Sequence, residues 1–510
     1  MVHILTQCHL GNIFANAGQA LIERTLPRAL IGTGRVRIRL VAQGQRDELP
    51  RLMDYFGSLR AQGDLELVYS EGGLRSEHLR GIDGLLLHGL PDPALINRVP
   101  LVVHVHSLEL TGHTRWLLGH CARMWNCSTP YVLISPSMST ARRIQAVQES
   151  AILDGRRMPP VVVKRHGFFA EELRRGDRAK GRHLLGVGPD ARVLLSFNRI
   201  SPQKCDYYQL LLAFSELVQT EGPELILCLV GGSSPDDKHY VQELRSLAEK
   251  LGMASRVRLI EHLAEVQKPD VFAAADAAIS LAVNPQESFG LCLLEAMAVG
   301  LPMVATDWNG YPEVLHPAYR PWLVPTVASH GVARAMEWWG RNEHLSRACA
   351  ADFDALVAAM RSAIQGDAVA CQQGRAHVEH YQWSAVAPEL VALWESLSTL
   401  SLASFPKPSS LPRVRSPVEG LATAYLGGAT RLLATGRRFP VFLEQSLRLA
   451  LPQVSAEDID AVVRACTGGG AQLSALRAQS ELEVDEFDEL VLWLLRTGVL
   501  ARLSRQDGSV

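Results

Sequence analysis

Two glutamates stand in one short, mostly apolar stretch of the sequence, NPQESFGLCLLEAMAVGLP, at residues 284–302. Seven residues lie between Glu287 and Glu295. A carboxylate inside a protein is rarely left unpaired, because removing its charge from water is costly. Glu295 therefore either faces water or meets a polar group.

The residues around Glu295 predict a short helix. We expect it to run from about Phe289 to Val299, with Ser288 as its cap and with Gly300 and Pro302 at its end. The free N–H groups at the start of such a helix form an anion site.

The same helix sets the distance between the two carboxylates. At 1.5 Å per residue, Glu295 lies roughly 7 Å along the axis, and the separation from Glu287 is on the order of 10 Å. That exceeds the ~5 Å of the nucleophile and acid in a retaining glycosidase. It fits an extended ligand with hydroxyls at both ends and phosphates between them. Two structural alternatives remain, since Glu287 could complement the helix dipole and Glu295 could face water.

Further polar residues follow predicted strands. RVLLSFNR (192–199) and the turn after it supply Arg199 and Lys204. Two fixed cations suit a diphosphate, because charge-assisted hydrogen bonds to phosphate oxygens are short and strong. An isolated pair of this spacing is more typical of a solvated turn, so its neighbours decide the interpretation. Gly231 and Gly232 end the strand ELILCLVGG.

Two series of short apolar runs alternate with helical stretches and must position these residues. The first series is predicted at 36–42, 84–89, 100–107 and 131–137, and the second at 192–199, 224–232, 256–263, 277–282 and 302–306. Runs rich in Val, Ile and Leu with helices between them indicate parallel strands covered on both faces. We predict an α/β protein with two doubly wound, Rossmann-like domains, in which ligands bind at the carboxyl ends of the strands.

A different pattern follows residue 400. SFPKPSSLPRVRSP (404–417) is typical of a linker. A helix opened by Ser455 and Asp458, a short helix at LSALRAQ, a helix at 485–498 and a final strand predict a small, mainly helical, winged-helix-like module. Residues 401–510 carry equal numbers of basic and acidic side chains, and ELEVDEFDEL opens the third helix. Such a surface repels phosphate, so a protein-interaction or dimerisation role is favoured over DNA binding.

Composition bounds the class of protein. The 510 residues, of which 47% are hydrophobic and 20% charged, are enough for about three soluble domains of ~150 residues. A net charge of −2 argues against a general binder of nucleic acid or anionic membranes. The nine cysteines form no C-x-x-C pair, the first residues do not resemble a signal peptide, and no apolar run is long enough for a membrane span. A cytoplasmic protein is expected.

The motifs together resemble a known family. ESFGLCLLEAMAVGLPMVATDWNGYPEV is similar to the E-x7-E region of retaining glycosyltransferases of family four, which have the GT-B fold, and NRISPQK is similar to their phosphate-binding segment. The segment from RVRLIEHL to the E-x7-E motif is similar to the segment that, in this family, connects the nucleotide-base loop to that motif. The resemblance is specific over about 192–325, weaker over 1–170 and absent after about 400.

The resemblance implies a role for each matching residue. Glu295 would hold the ribose hydroxyls of a nucleotide sugar, Glu287 would contact its hexose, and Arg199 with Lys204 would clamp the diphosphate and stabilise it as a leaving group. Because two cations do this work, neither a bound metal nor a permanent cofactor is expected. His106 would face the donor sugar, with His104 as the alternative. The other donor-binding residues implied are Ser288, Phe289, Gly290, Leu291, Gly231, Gly232, His262 and Leu263.

Two departures from the family pattern affect the first domain and one loop of the second. The first strand–helix loop, HLGNIFANAG, has few glycines, and Gly11 and Asn12 are its acceptor-side candidates together with His104. Asn309 stands where many members have a glycine, and asparagine tolerates the left-handed conformation that such a turn needs.

The GT-B resemblance also divides the chain. It implies an acceptor domain at 1–175, a donor domain at 176–380, both facing a cleft, and a helix at 381–400 that returns to the first domain. A linker at 401–418 and the winged-helix-like interaction module at 419–510 complete the prediction.

The leading functional hypothesis is a retaining, metal-independent hexosyltransferase that uses a UDP- or GDP-sugar and an unidentified glycan, small-molecule or protein acceptor. A hydrolase or epimerase acting on a nucleotide sugar, and a non-catalytic scaffold, are the alternatives. Retention of Arg199, Lys204, Glu287 and Glu295 together argues against the scaffold.

Overall fold

The computed structural model describes residues 1–10, 18–88, 95, 97–106, 129–150, 159–222, 224–234, 237–285, 287–338, 346–399, 420–440, 443, 447 and 451–503. The chain divides into two compact units, one of residues 1–171 with 377–414 and one of residues 172–376 with 415–510. Within the described residues, no helix is both long and apolar enough to cross a bilayer.

The first unit is built on a parallel sheet with strand order β3-β2-β1-β4-β5-β6-β7. Its strands are β1 (Val2–His9), β2 (Val36–Gln43), β3 (Leu65–Tyr69), β4 (Gly84–Leu87), β5 (Leu101–His104), β6 (Tyr131–Ser135) and β7 (Val161–Val163). Strands β4, β5 and β6 are buried along their whole length, as expected for a sheet covered on both faces. The strand order reverses between β1 and β4, which makes their carboxyl ends a switch point.

Helices cover this sheet. They are α1 (Gly18–Gly32), α2 (Leu49–Tyr55), α3 (Gly57–Ala61), α4 (Met138–Ser150) and α5 (Ala170–Leu173), of which the last spans the boundary between the units.

The helix at Trp383–Thr399, which follows the second sheet in the sequence, belongs to the first unit. It contains Trp383 and Trp394, whose rings lie so close to Gly167 and Gly84 that a Cβ at either glycine would collide with them. Both tryptophans are buried. Core packing therefore accounts for both side chains.

The second unit contains a parallel sheet with strand order β10-β9-β8-β11-β12-β13. Its strands are β8 (Arg192–Phe197), β9 (Leu225–Val230), β10 (Val257–Ile260), β11 (Ala277–Ser280), β12 (Met303–Thr306) and β13 (Leu323–Val324). The order reverses between β8 and β11. The two predicted parallel sheets, and with them the α/β fold class, are confirmed.

Ten further helices are described between residues 178 and 399, and their numbering continues from α5. They are α6 (Arg178–Leu185), α7 (Tyr207–Glu221), α8 (Lys238–Lys250), α9 (Lys268–Ala274), α10 (Leu291–Val299), α11 (Tyr311–Val314), α12 (His330–Trp338), α13 (Phe353–Gln365), α14 (Ala368–Val378) and α15 (Trp383–Thr399), the helix of the two tryptophans. Short 3-10 turns lie at Arg46–Glu48, Ser76–Leu79, Glu265–Gln267, Pro317–Trp322 and Glu379–Tyr381.

The C-terminal segment packs on the second unit. Strands β14 (Thr326–Ala328), β15 (Cys349–Ala351) and β16 (Ala424–Tyr425) form one small sheet, and β17 (Arg431–Ala434), β18 (Ala471–Gln472) and β19 (Leu500–Arg502) form another. Helices α16 (Ala456–Ala465), α17 (Leu473–Arg477) and α18 (Val484–Arg496) complete it. Ser455 and Asp458 cap α16 reciprocally, which confirms the predicted capping box.

One apolar cluster runs through the tail and the second unit. It joins Trp308 and Val327 to Phe487, Leu490 and Leu494 of α18. The described part of the tail is therefore continuous with the core of this unit. The predicted linker at 401–418 lies outside the described residues, and the winged-helix-like interpretation stays a prediction.

The acidic residues that open α18 are only partly exposed, as Glu481, Glu483 and Asp485 face solvent but two others do not. Asp488 and Glu489 are buried. Asp488 accepts hydrogen bonds from Arg477 and from Ser329 Oγ, at 2.8 Å and 2.9 Å, and Glu489 pairs with Arg347. The argument that this face repels phosphate was wrong for these two residues, because folding directs them into the protein rather than into solvent.

Candidate functional site

The switch point of the second sheet collects the predicted site residues. Because β8 and β11 are neighbours at the position where the strand order reverses, the loops after them diverge and leave a crevice at their carboxyl ends. The loop after β8 carries Arg199 and Lys204, and the loop after β11 carries Glu287. The backbone N–H of Asp206 donates to the carbonyl of Leu281 at 3.1 Å, which ties the two loops together.

Lys204 and Glu287 form an ion pair across the switch point. The carboxylate side chain is 10% exposed and the lysine side chain 32% exposed, so the pair opens to solvent on the lysine side. Partial burial lowers the pKa of Lys204 from its ordinary value, and the charge of Arg199 acts in the same direction. A cation held in this way retains N–H donors for a further anionic group, since an ammonium has three.

Arg199 lies beside Lys204 on the exposed side of the loop. Its Nη2 donates to Gln203 Oε1 at 3.4 Å, a long and weak hydrogen bond. The turn itself is stabilised by Ser201, whose Oγ donates to Asp237 Oδ1 at 3.1 Å. The turn that carries the two cations therefore has a defined conformation.

Glu295 lies inside α10 and is 4% exposed. Its Oε1 pairs with Lys268 at the start of α9, and the Lys268 ammonium also lies 5.1 Å from the centre of the Phe197 ring. The sequence left open whether Glu295 faces water or meets a polar group. The structure shows that it is buried and paired with Lys268. Among the described residues, no hydrogen bond to the second carboxylate oxygen is seen.

The helix that carries Glu295 begins later than the sequence indicated. It starts at Leu291 and has Gly290 as its N-cap, without a side-chain cap from Ser288. Gly290 has φ +83°, and a Cβ there would collide with the Tyr311 ring. A residue other than glycine would therefore be strained and would clash with the tyrosine.

Tyr311 anchors this turn to the sheet. Its hydroxyl lies 2.9 Å from Ser280 Oγ, which in turn accepts a hydrogen bond of 3.2 Å from Asn198 Nδ2. All three side chains are buried. The chain of hydrogen bonds therefore fixes the ends of β8 and β11 relative to the start of α10.

Asn309 adopts the left-handed conformation that its position in DWNGYPE indicated, with φ +49°. Its Nδ2 donates to the carbonyl of Glu287 at 2.8 Å. Trp308 Nε1 donates to the carbonyl of Asn284 at 2.9 Å in the same loop. Glu287 is thus positioned through its backbone by the loop after β12.

The remaining donor-side candidates follow neighbouring strands. Ser288 and Phe289 are buried beside Glu287. Gly231 follows β9, where a Cβ would collide with the Asn198 carbonyl oxygen, and Gly232 accepts a hydrogen bond of 2.9 Å from the Ile200 N–H. His262 and Leu263 follow β10 at the edge of the sheet, with the histidine exposed.

The first unit gathers four histidines at the carboxyl ends of its strands. His88 follows β4, His104 ends β5, His106 lies two residues later, and His166 follows β7. The His88 Nδ1 and His106 Nε2 atoms lie 2.8 Å apart. The rings of His104 and His106 stack with their centres 4.5 Å apart, and His166 lies 4.7 Å from His104.

Burial keeps these imidazoles uncharged. It lowers the pKa of His88 to about 4 and of His166 to about 3, with His88 acting in the same direction on His166. The pKa values of His104 and His106 are also well below the ordinary value, for the same two reasons. Gly11 and Asn12, the acceptor-side candidates of the first loop, lie outside the described residues.

Sequence reasoning missed three residues of these two sites. Lys268 is far from Glu295 in the sequence and belongs to an unremarkable K-P helix start. His88 and His166 each follow a short apolar strand, and that position at a strand end is the one signal that could have found them.

Comparison with known proteins adds family information to this geometry. Residues 177–352 match the family described as "Glycosyl transferases group 1". A D-inositol 3-phosphate glycosyltransferase of Actinosynnema mirum is 33% identical over 221 residues, which cover 43% of this chain and 48% of that protein. D-inositol 3-phosphate glycosyltransferase 1 of Catenulispora acidiphila is 28% identical over 359 residues, covering 68% and 77%. The chain spans about half the length of the first of these relatives.

Solved structures resemble the fold. Anabaena Alr3699/HepE, in complex with UDP and glucose, superposes with a TM-score of 0.53 and 20% identity over 78% of this chain and 100% of that one. Sucrose-phosphate synthase from Thermosynechococcus elongatus gives a TM-score of 0.54 and 16% identity, again over 78% and 100%. At these identities the likeness concerns the fold.

Proposed function

We propose that this chain, whose residues 177–352 match the group 1 glycosyl transferases, is a glycosyltransferase of family four that transfers a hexose from a nucleotide-diphosphate sugar to an acceptor with retention of configuration. One observation carries the proposal. At the switch point of the second sheet, Lys204 pairs with the buried Glu287, Arg199 stands in the same turn as Lys204, and Glu295 follows in the adjoining helix. This is the charge pattern that a diphosphate flanked by two sets of sugar hydroxyls requires.

Lys204 and Arg199 would act on the leaving group. Transfer breaks the bond between the anomeric carbon and a diphosphate oxygen, and negative charge develops on that oxygen. Cations already in place stabilise this charge without having to reorganise during the reaction. Since Glu287 holds Lys204 in position, the lysine can contact a phosphate oxygen and keep its protein partner.

Glu295 would bind the nucleotide at its ribose. Its Oε1 is occupied by Lys268, and the other oxygen can accept from a ribose hydroxyl. The lysine keeps the acid buried and oriented before the donor arrives, so less ordering is required on binding. Glu287 would contact the hexose from the neighbouring loop.

His106 retains the role that the resemblance implies, support of the positive charge that develops on the sugar ring. An imidazole kept neutral by burial is suited to this, because it presents a lone pair or a dipole rather than a competing positive charge. A UDP-sugar is the first donor to test, since the related fold of Alr3699/HepE was solved with UDP.

The test is isothermal titration calorimetry with UDP, followed by the other nucleoside diphosphates. Glu295→Gln keeps the size of the side chain and an acceptor for Lys268 but removes the charged acceptor from the ribose. Hydrogen bonds to charged groups contribute about 1.5–3 kcal/mol, so the affinity is expected to fall roughly 10- to 150-fold. Glu249→Gln, on the exposed end of α8, is the matched control and should bind as the wild type does.

Equal affinity of Glu295→Gln and the wild type for every nucleotide would refute the ribose assignment. Transfer is tested separately with a radiolabelled donor. A labelled product that forms only after an acceptor is added supports a transferase, and equal sugar release without an acceptor would favour a hydrolase.

A further inference from the structure

The histidine cluster of the first unit has the geometry of a metal site. One ring nitrogen from each of His88, His104 and His106 lies within 4.8 Å of the others. Around a tetrahedral zinc ion, with Zn–N bonds of about 2.0–2.1 Å, ligand nitrogens are roughly 3.3 Å apart. A bound ion would therefore require the three nitrogens to lie closer to one another than 4.8 Å. The existing 2.8 Å contact between His88 and His106 is already closer than it requires.

The backbone brings these residues together independently of any local motif. β4 and β5 are adjacent strands of the sheet, with Leu87 paired to Val103. Their carboxyl ends therefore present His88 and His104 side by side, and the chain after β5 adds His106. This is the edge at which parallel sheets bind ligands.

His104 supplies a second, independent observation. It is 3% exposed, and neither of its ring nitrogens has a hydrogen-bond partner among the described residues. A buried polar atom without a partner typically costs about 1–3 kcal/mol, so such atoms are rare in folded proteins. Ring stacking alone does not explain two unsatisfied nitrogens on the buried His104 ring. A metal ion satisfies one of them by direct coordination.

The donor set indicates which ions would fit. Three imidazoles, with His166 next to them as a fourth, form an all-nitrogen set, and such ligands suit Zn²⁺, Co²⁺, Ni²⁺ and Cu²⁺ rather than Mg²⁺ or Ca²⁺. Metal ions bind the uncharged form of imidazole, which burial favours here. The set contains only nitrogen donors, so it does not depend on a thiol remaining reduced.

We propose that His88, His104 and His106 bind one divalent transition-metal ion, with zinc as the expected occupant, at the carboxyl edge of the first sheet. This inference goes beyond the proposed glycosyl transfer and rests on the first unit alone. It also conflicts with two expectations from the resemblance. That family needs no metal for transfer, and a metal ion on His106 would replace the neutral lone pair on which the proposed role of His106 in transfer depends. The ion would connect the ends of β4 and β5.

The experiment uses the full chain without an affinity tag, stripped with a chelator and dialysed. Zn²⁺ is titrated by calorimetry, and Co²⁺ by the visible absorption bands that distinguish four-coordinate from six-coordinate cobalt. One equivalent bound per chain, with four-coordinate cobalt bands, is expected. No binding, or binding with six-coordinate spectra only, would overturn the proposal.

Two variants separate the cluster from surface histidines. His88→Gln is expected to weaken Zn²⁺ binding by at least about 100-fold, because even outer-shell partners of a metal typically change its affinity 10- to 100-fold. His380→Gln removes an exposed histidine of the same unit and should bind as the wild type does. Zn²⁺ should raise the melting temperature of the wild type and of His380→Gln but not of His88→Gln. A melting transition of His88→Gln without Zn²⁺ shows that this variant is folded, and the missing shift shows that it lacks the site. Equal Zn²⁺ affinity in the wild type and His88→Gln would contradict the assignment.

Discussion

Replacing Lys268 with methionine tests whether this lysine is the partner that allows Glu295 to be buried. The lysine side chain is 18% exposed and the glutamate side chain 5% exposed. Methionine fills similar space beside the Phe197 ring but carries no charge. Removing one partner of a buried ion pair costs about 3–5 kcal/mol, and the partial exposure of Lys268 places the expected loss at about 3 kcal/mol.

The loss is measured as a change in melting temperature without nucleotide. For a unit of this size, 1 kcal/mol shifts the melting temperature by roughly 1.5 °C, so Lys268→Met is expected to lower it by on the order of 5 °C. Adding Glu295→Gln removes the charge that was left alone, and the double variant should recover most of that loss. Differential scanning calorimetry of the four proteins completes the cycle.

Lys250→Met is the matched control. Lys250 ends α8 and is exposed, and surface substitutions of this kind typically stay within about 0.5 kcal/mol. Equal melting temperatures of Lys268→Met and Lys250→Met would show that Lys268 does not stabilise the buried acid. A double variant that melts at the same temperature as Lys268→Met would show the same. The reasoning about Glu295 would then be refuted.

The other predictions concern pH and the tail. Because burial lowers the pKa of His88 to about 4 and of His166 to about 3, the unfolded chain binds more protons than the folded chain below the ordinary value of 6.5. The free energy of unfolding of the metal-free protein should therefore decrease as the pH falls from about 6.5 to 4. The expected decrease is on the order of 1 kcal/mol per pH unit for each histidine. An unchanged melting temperature between pH 7 and pH 5 would contradict this. Arg496 of α18 lies 2.5 Å from Asp206 and donates to the Cys349 carbonyl at 2.6 Å. Arg496→Met should cost about 3 kcal/mol and weaken UDP binding, because Asp206 caps α7 two residues after the cationic turn. Exposed Arg464→Met is its control, and equal melting temperatures and UDP affinities in the two variants would exclude this role for Arg496.

Much of the fold could be predicted because its signals are local. Parallel strands buried on both faces consist of consecutive apolar residues, so β8, β9, β11 and β12 are visible as runs in the sequence. Helix ends are equally local, as the Ser455 cap shows. The start of α10 was placed two residues too early, because Ser288 has the composition of a cap but the positive φ of Gly290 delays the helix.

The site also contains residues that the sequence indicates locally and partners that it does not indicate. Glu287 and Glu295 stand in one contiguous motif, and Arg199 and Lys204 stand in one turn, so their types and spacing alone indicated a diphosphate flanked by hydroxyls. Their protein partners are contacts between distant segments. Which residue meets a buried acid depends on strand order and helix packing, and no local pattern specifies either.

The amino-acid sequence by itself determined the alternation of strands and helices, the position of the cationic turn at a strand end, and the acid in an apolar helix. Only the tertiary structure decided that Lys268 neutralises that acid, that α18 turns Asp488 and Glu489 into the protein, and that His88, His104 and His106 meet. The physical reason is that local backbone and burial preferences act over a few residues, whereas charges and imidazoles are brought together by a sheet whose strand order joins distant parts of the chain.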